Sequence, residues 1–166
     1  MIEFHLAYLS LGSNIHPEIN LTRAVQMLSQ HGEILNISSV WESEPVGGSG
    51  RNYLNACLAY KTIQSQEHLK AKTIHAIETS LGRRRTDDKY APRTIDIDLI
   101  IFDDKIISGR WLAQAFVVVP LAEVLPDFQN PQTRELLHET ATRLRRDFWM
   151  EARRVILADR PRSGAG

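Results

Sequence analysis

The sequence of 166 residues has a single cysteine, no long apolar run and no excess of charge of either sign. Cys57 cannot form a disulfide within the chain, which fits a reducing compartment and predicts a cytoplasmic protein. No segment approaches the roughly 20 apolar residues of a membrane-spanning helix, and residues 1–10 lack the regions of a signal peptide. Because the formal net charge is zero, neither nucleic acid nor a membrane is expected as a partner.

The remaining composition is that of an ordinary globular protein, with 43% apolar and 24% charged residues. A chain of this length can bury a core of its own. We predict one domain over residues 1–128 and a C-terminal helical extension over residues 129–166 that packs on it. The last residues, 160–166, are expected to fray. The expected state is a monomer, with a dimer as the alternative.

Hydrophobic periodicity predicts a β-α-β-β-α-β order with additions. Strands are predicted at 6–11, 33–44, 53–63, 94–102, 105–107 and 116–119. Helices are predicted from Pro17 to the break at His31-Gly32, at 66–81, and at 133–146 with a continuation to Leu157. This order predicts an α+β, ferredoxin-like fold: an antiparallel sheet with helices on one face and an added C-terminal helix.

Two carboxylates stand out in the strand predicted at 94–102. Asp96 and Asp98 alternate with apolar residues from Thr94 to Leu99, so a strand places both on one face. There they repel each other, and β-propensity disfavours Asp. Mg²⁺, a hard ion that takes carboxylate, water and phosphate oxygens, is the expected counter-ion. From these two residues alone, a solvated strand face explains the pattern equally well.

Cations crowd the segment just before this strand: Arg83, Arg84 and Arg85 are followed by Lys89 and Arg93. Guanidinium groups for phosphate oxygens beside carboxylates for a metal suit nucleotide phosphoryl transfer. The glycine-rich segment 45–50 lacks the lysine of a P-loop. It is interpreted as a mobile loop near a substrate.

Taken together, these motifs resemble the signature of the 6-hydroxymethyl-7,8-dihydropterin pyrophosphokinase family, which acts in folate biosynthesis. The resemblance covers about residues 6–128. The matching pieces, in the family's order and spacing, are LGSN at 11–14, YLN at 53–55, IE at 77–78, LGRRR at 81–85, PRTIDID at 92–98 and FVVVPL at 116–121.

The resemblance implies a diphosphokinase that transfers diphosphate from ATP to the hydroxymethyl group of the pterin, with two Mg²⁺ ions. It implies Asp96 and Asp98 as metal ligands, catalytic together with Arg83 and Arg93. Arg83, Arg85 and Arg93 would contact ATP, with Arg110 as a candidate replacement for a further family arginine. The implied pterin-binding residues are Pro45, Val46, Tyr53, Asn55 and Phe116, the last stacking on the ring.

One departure concerns the segment before Phe116, which is shorter than the family's. It lacks a Pro-His pair and has Gln114-Ala115 where an arginine is expected. We therefore predict that the pterin-binding residues and the two metal ligands are present. Part of the set of ATP-binding residues is predicted to be missing. Two alternatives stay open: a diverged pterin-binding or regulatory module with weak or no transfer, and a transferase for a related pterin. On pattern alone, Phe116 would be a core residue and Tyr53 a strand-packing residue.

Overall fold

A computed structural model describes residues 1–157 and shows an antiparallel sheet between two helical layers. The strands are β1 (His5–Ser13), β2 (Glu33–Ile37), β3 (Val40–Ser43), β4 (Tyr53–Thr62), β5 (Asp96–Phe102), β6 (Lys105–Ile106) and β7 (Met150–Arg153). Their order across the sheet is β6-β5-β1-β4-β3-β7, and β2 also pairs with β4. The expected fraying of residues 160–166 lies outside the described residues.

The helices are α1 (Pro17–Ser29), α2 (Gln66–His68), α3 (His75–Ser80), α4 (Ala115–Val124) and α5 (Leu137–Asp147). A π-helical segment, Leu69–Ile74, joins α2 to α3, so together they form the predicted second helix. The 3₁₀ turn Gly109–Ala113 precedes α4. None of the helices within residues 1–157 is both long enough and apolar enough to cross a membrane.

The period of two in the central strands separates the core into two parts. Leu9 and Leu11 of β1 pack with α1 and α3 on one face. Tyr8 of β1 and Cys57 of β4 pack with α4 and α5 on the other face. The predicted ferredoxin-like order and antiparallel sheet are confirmed, and α5, the added C-terminal helix, shares its face with α4.

The predicted strand at 116–119 is wrong, because these residues lie in α4. A short apolar run does not distinguish a buried strand from a buried helix by periodicity. Here the run is apolar on nearly all sides because α4 packs between the sheet and α5, and Val117, Val118 and Val119 are all buried.

Two other boundaries differ from the predictions. The strand expected at 33–44 is divided into β2 and β3 at Ser38, whose hydroxyl accepts a hydrogen bond from the Cys57 backbone N–H at 2.8 Å. The expected helical continuation to Leu157 is wrong: after α5 the chain turns back as β7, which pairs with β3. The C-terminal region thus adds a strand to the same sheet, and the domain division at residue 128 stays a prediction.

Candidate active site

Polar groups occupy two neighbouring rows across the centre of the sheet. Gly12 of β1 pairs with Asn55 on β4 and with Asp96 on β5. One step along β1, Ser10 pairs in the same way with Cys57 and Asp98. Because paired residues and residues two apart share a face, the Asn55, Asp96 and Asp98 side chains lie on the face that α4 covers in part.

Asp96 is neutralised by two arginines in this structure. Arg83 Nη1 lies 3.0 Å from Asp96 Oδ1, and Arg93 Nη1 donates to Asp96 Oδ2 at 2.6 Å. Arg83 also forms an ion pair with Glu78 of α3, a partner that sequence reasoning missed. The structure therefore brings together three of the four residues expected to be catalytic, with each oxygen of Asp96 facing one guanidinium.

Asp98, the fourth expected catalytic residue, is electrostatically strained. Burial, and after it the neighbouring charge of Asp96, raise the pKa of its carboxyl to about 7, against the lowering effects of Arg83, Arg93 and Arg110. A half-buried pair of carboxylates with this cost fits a divalent cation, and oxygen donors of this type suit Mg²⁺.

Thr94 adds an unsatisfied polar group beside the acidic pair. Its Oγ1 is buried and has no hydrogen-bond partner among residues 1–157. It stands two residues before Asp96, so this oxygen belongs to the same stretch of chain as the two carboxylates. The donor set of this region is consistent with a hard cation.

Asn55 is held in a fixed orientation on the neighbouring strand. Its Nδ2 donates to the Trp41 backbone carbonyl at 3.1 Å and to Ser43 Oγ at 2.8 Å. A Cβ placed on Gly12 would lie 3.2 Å from Asn55 Oδ1 and 3.7 Å from the Tyr53 ring. Because Gly12 has no side chain, the sheet surface between Asn55 and Asp96, which forms the floor of the site, is open. The Asn55 Oδ1 atom lies at its edge.

Tyr53 connects this floor to the charged cluster. Burial raises the pKa of its hydroxyl, while Arg93 and Arg83 lower it and Asp96 raises it. These opposing effects show that the ring lies within electrostatic reach of the ion pairs. The structure thus places two of the expected pterin-binding residues, Tyr53 and Asn55, beside the expected phosphate-binding residues.

The shortened segment before α4 forms a compact cluster of its own. The Arg110 guanidinium lies 4.6 Å above the Trp111 ring, and Trp111 contacts Phe116 edge to face at a centroid distance of 6.0 Å. Phe116 stands in the first turn of α4, and Val117 O lies 3.6 Å from Cys57 Sγ on the sheet. The first turn of α4, which contains Phe116, therefore lies over the row of Cys57 and Asp98, next to the row of Asn55, and Phe116 is on a helix and not on the predicted strand.

Two loops border the site, and the buried residue Asn14 joins them. Its Nδ2 donates to the Arg51 carbonyl at 3.2 Å, in the loop after β3. Its Oδ1 accepts from the Arg93 N–H at 2.8 Å, and its own N–H donates to the Arg93 carbonyl at 3.1 Å. The role of Asn14 could not be found from the sequence, because an asparagine after a strand also suits an ordinary turn.

Other expected site residues lie on these loops, where the Pro45 carbonyl accepts a hydrogen bond from the Gly48 N–H at 3.0 Å. Val46 is 59% exposed and Pro45 is half-buried. Gly47, with φ of +91°, lies so close to Tyr90 that an added Cβ would be 3.3 Å from the ring. Arg85 is exposed, and the structure does not bring it to an acidic side chain of the described residues.

A family model described as 7,8-dihydro-6-hydroxymethylpterin-pyrophosphokinase matches residues 8–126. The chain is 34% identical over 140 residues to the 2-amino-4-hydroxy-6-hydroxymethyldihydropteridine pyrophosphokinase of Synechocystis, covering 78% of this chain and 71% of that protein. It is 34% identical over 142 residues to the Aquifex aeolicus protein of the same name, covering 80% and 88%.

Solved structures show the same fold. A crystal structure of Plasmodium falciparum HPPK-DHPS with pterin and p-hydrobenzoate superposes with a TM-score of 0.69 at 11% identity. The match covers 87% of this chain and 45% of that one, so this chain spans less than half of that longer protein.

Proposed function

The chain belongs to the 7,8-dihydro-6-hydroxymethylpterin-pyrophosphokinase family, and on that premise we propose how its residues act. The activity is transfer of diphosphate from ATP to the hydroxymethyl group of 6-hydroxymethyl-7,8-dihydropterin, a step of folate biosynthesis. Nothing in the comparisons favours a pterin-binding module or another pterin. The observation that carries the site assignment is the row in which Gly12 lies between Asn55 and Asp96.

The pterin occupies the floor beside Gly12. Asn55 Oδ1 accepts hydrogen bonds from the N–H groups of the ring, because Nδ2 is already bound to Trp41 and Ser43. Tyr53 and Phe116 contact the flat faces of the ring, and Pro45 and Val46 form the neighbouring wall. This orientation directs the hydroxymethyl group along the row towards Asp96.

The nucleotide occupies the charged side of the row. Arg83 and Arg93 neutralise Asp96 in the resting protein, and their guanidinium groups contact the phosphate oxygens once ATP and the metal have taken over this carboxylate. Asp96 and Asp98 would hold the two Mg²⁺ ions. Arg85 and Arg110 add phosphate contacts from the surrounding segments. The bound metal supplies neutralisation of the charge on the transferring phosphates.

In the reaction, the hydroxymethyl oxygen forms a bond to the β-phosphorus of ATP. The bond from that phosphorus to the oxygen bridging to the α-phosphate breaks, and AMP leaves with the electron pair. The hydroxyl proton passes to solvent. The protein contributes by positioning the two substrates and by stabilising charge with its arginines.

The enzyme is proposed to act as a monomer in the cytoplasm. The single cysteine, Cys57, is free and buried, which suits a reducing compartment. Analytical ultracentrifugation at micromolar concentration tests the monomer.

The proposed function is tested by incubating the purified chain with ATP, Mg²⁺ and 6-hydroxymethyl-7,8-dihydropterin and measuring AMP and the pterin diphosphate. We expect one AMP for each pterin diphosphate. A dihydropterin with a methyl group in place of the hydroxymethyl group serves as the control, because it fits the pocket and cannot accept diphosphate. Pterin binding without AMP formation would contradict the transferase and support a binding module.

A further inference from the structure

The end of helix α3 fixes the backbone of Arg83. Gly82 has a φ of +81°, and its N–H donates to the Thr79 carbonyl at 3.0 Å. The Arg83 N–H donates to the Glu78 carbonyl, also at 3.0 Å. These two bonds form a Schellman motif, in which a glycine in the left-handed conformation turns the chain back over the last helical turn.

The same turn brings together the side chains of Glu78 and Arg83. Glu78 is buried, with 7% of its surface exposed, and its carboxylate pairs with Arg83 Nη1. A buried carboxylate is costly unless a cation accompanies it. The same Nη1 lies 3.0 Å from Asp96 Oδ1, so Arg83 stands between a structural carboxylate and a carboxylate of the proposed metal site.

The other cations of this segment have no such second anchor. The Arg93 guanidinium pairs with Asp96 and donates to the Lys89 backbone carbonyl at 3.2 Å, and the Arg93 backbone is bonded to Asn14, which lies outside the helices. Arg84 and Arg85 are exposed. Arg83 alone among these four arginines is tied by backbone and side chain to one helix residue, and it keeps an anionic partner when Asp96 changes ligand.

We propose that Glu78 is a positioning residue for diphosphate transfer: it holds the Arg83 guanidinium in place while Asp96 exchanges its arginines for the metal and nucleotide. Without the Glu78 charge, Arg83 depends on Asp96 for neutralisation and competes with the cation for that carboxylate. The inference rests on the proposed roles of Arg83 and Asp96. It assigns to Glu78 an effect on the nucleotide side and none on the pterin side.

A purely structural role for Glu78 predicts a different result. Loss of a buried ion pair would loosen the end of α3 and weaken both substrate sites together, or only lower the melting temperature. A positioning role predicts that the two substrates respond differently. Binding of each substrate alone therefore separates the two interpretations.

The test compares Glu78→Gln, which keeps the side-chain shape and removes the charge, with Ile77→Val, which removes one buried methylene beside it. For Glu78→Gln we expect kcat/KM for ATP to fall at least tenfold, while the Kd for the pterin, from fluorescence titration, stays within twofold. Ile77→Val should leave both constants within twofold. A Glu78→Gln enzyme with kcat/KM for ATP within twofold of wild type, or with both substrates weakened equally, would overturn the proposal.

A double variant checks that Glu78 acts through Arg83. In an Arg83→Ala background, Glu78→Gln should cause no further loss of kcat/KM for ATP, whereas multiplication of the two separate losses would contradict the proposal. A wild-type chain without turnover would instead refute the proposed function, so the two failures are distinguishable.

Two substitutions of Gly82, which act through the backbone, test the proposal if Glu78→Gln does not fold. An added Cβ at Gly82 meets nothing within 4 Å, so only its positive φ limits substitution. Asn tolerates that conformation and Val does not. We expect Gly82→Val to lower kcat/KM for ATP at least fivefold and Gly82→Asn to retain it within twofold; equal values for the two variants would count against the Arg83 placement.

Discussion

The proposed pterin-binding side of the site, here the acceptor side, and the proposed nucleotide-binding side, here the donor side, are built in opposite ways. Asn55 belongs to a central strand, and its amide is fixed by two hydrogen bonds to groups of the neighbouring strand. The donor side is made of loop arginines that neutralise Asp96 by ion pairing. The acceptor side is therefore ready for its ligand, whereas the donor side must exchange one set of charge partners for another.

This difference teaches where substitutions should act. On the acceptor side, a lost polar group removes affinity for the pterin and leaves the nucleotide unaffected. On the donor side, we propose two roles for Arg83, Arg93 and Asp96, one in the resting ion pairs and one with the nucleotide, so removal of any of these charges should change turnover, metal binding and stability together. The predictions below run from the largest expected effect to the smallest.

Asp96→Ala is expected to abolish most of the turnover and to leave pterin binding nearly unchanged. It removes the carboxylate at which both guanidiniums meet, and turnover should fall by at least roughly a thousandfold, as when a principal electrostatic group is lost. The Kd for the pterin should stay within threefold of wild type. Asp87→Asn, an exposed acid in the same segment, is the matched control; retained turnover in Asp96→Ala would exclude Asp96 as a metal ligand.

Asn55→Ala is expected to weaken pterin binding and to leave the KM for ATP unchanged. The pterin loses an oriented amide in a buried site, and leaving a buried N–H donor without its partner costs roughly 1 to 3 kcal/mol. Its Kd should therefore rise about tenfold to a hundredfold, measured by fluorescence titration. The KM for ATP should not change. A pterin affinity equal to that of the Asn52→Ala control would place the ring elsewhere.

Arg110→Ala sharpens the comparison within the donor side. Arg110 stacks on Trp111 and is close enough to lower the pKa of Asp98, so it is the candidate for the phosphate contact that the shortened segment lacks. Turnover at limiting ATP should fall about tenfold, the value of one charge-assisted contact. Arg84→Ala serves as the control, and unchanged turnover in Arg110→Ala would remove Arg110 from the site.

The smallest effect concerns the stability of the metal-free protein. The pKa of Asp98 is raised from 3.8 to about 7, so the folded protein binds this proton more tightly than the unfolded chain. Stability should therefore fall as the pH rises from about 4 to about 7 and then level off. Because a tenfold difference in proton affinity corresponds to about 1.4 kcal/mol, the loss of stability is at most a few kcal/mol.

Urea unfolding of the wild type and of Asp98→Asn across this pH range measures the effect. The variant should lose this decline, because an amide does not titrate. A wild-type stability that rises over the same interval would show that the Asp98 carboxyl is not the strained group of the donor side.

The sequence predicted the elements whose pattern is set locally. The alternation from Thr94 to Leu99 indicated that Asp96 and Asp98 share a face, since a strand has no other way to arrange them. The run 116–119 was placed in the wrong element, because its burial depends on α5, which contacts it only in the folded protein. The return of the chain as β7 was missed for the same reason: its edge position follows from pairing with β3.

Within the site, the sequence identified the arginines and carboxylates but not how they pair. Nothing in residues 78–96 shows that Arg83 lies between Glu78 and Asp96, because that arrangement requires the left-handed turn at Gly82 and the neighbouring position of β5. The link from Asn14 to both loops likewise joins residues far apart in the chain. Such contacts depend on tertiary structure, which periodicity does not encode.

Asn14 also limits how many ways the pocket can move. One short side chain bonds the loop after β3 and the segment before β5, and it cannot follow both if they separate. Because one side chain holds both loops, we expect a displacement of one loop at Arg51 to be passed to the other at Arg93. At this point, an enzyme that encloses two substrates would then need one joint movement of the loop after β3 and the segment before β5, and not two separate movements.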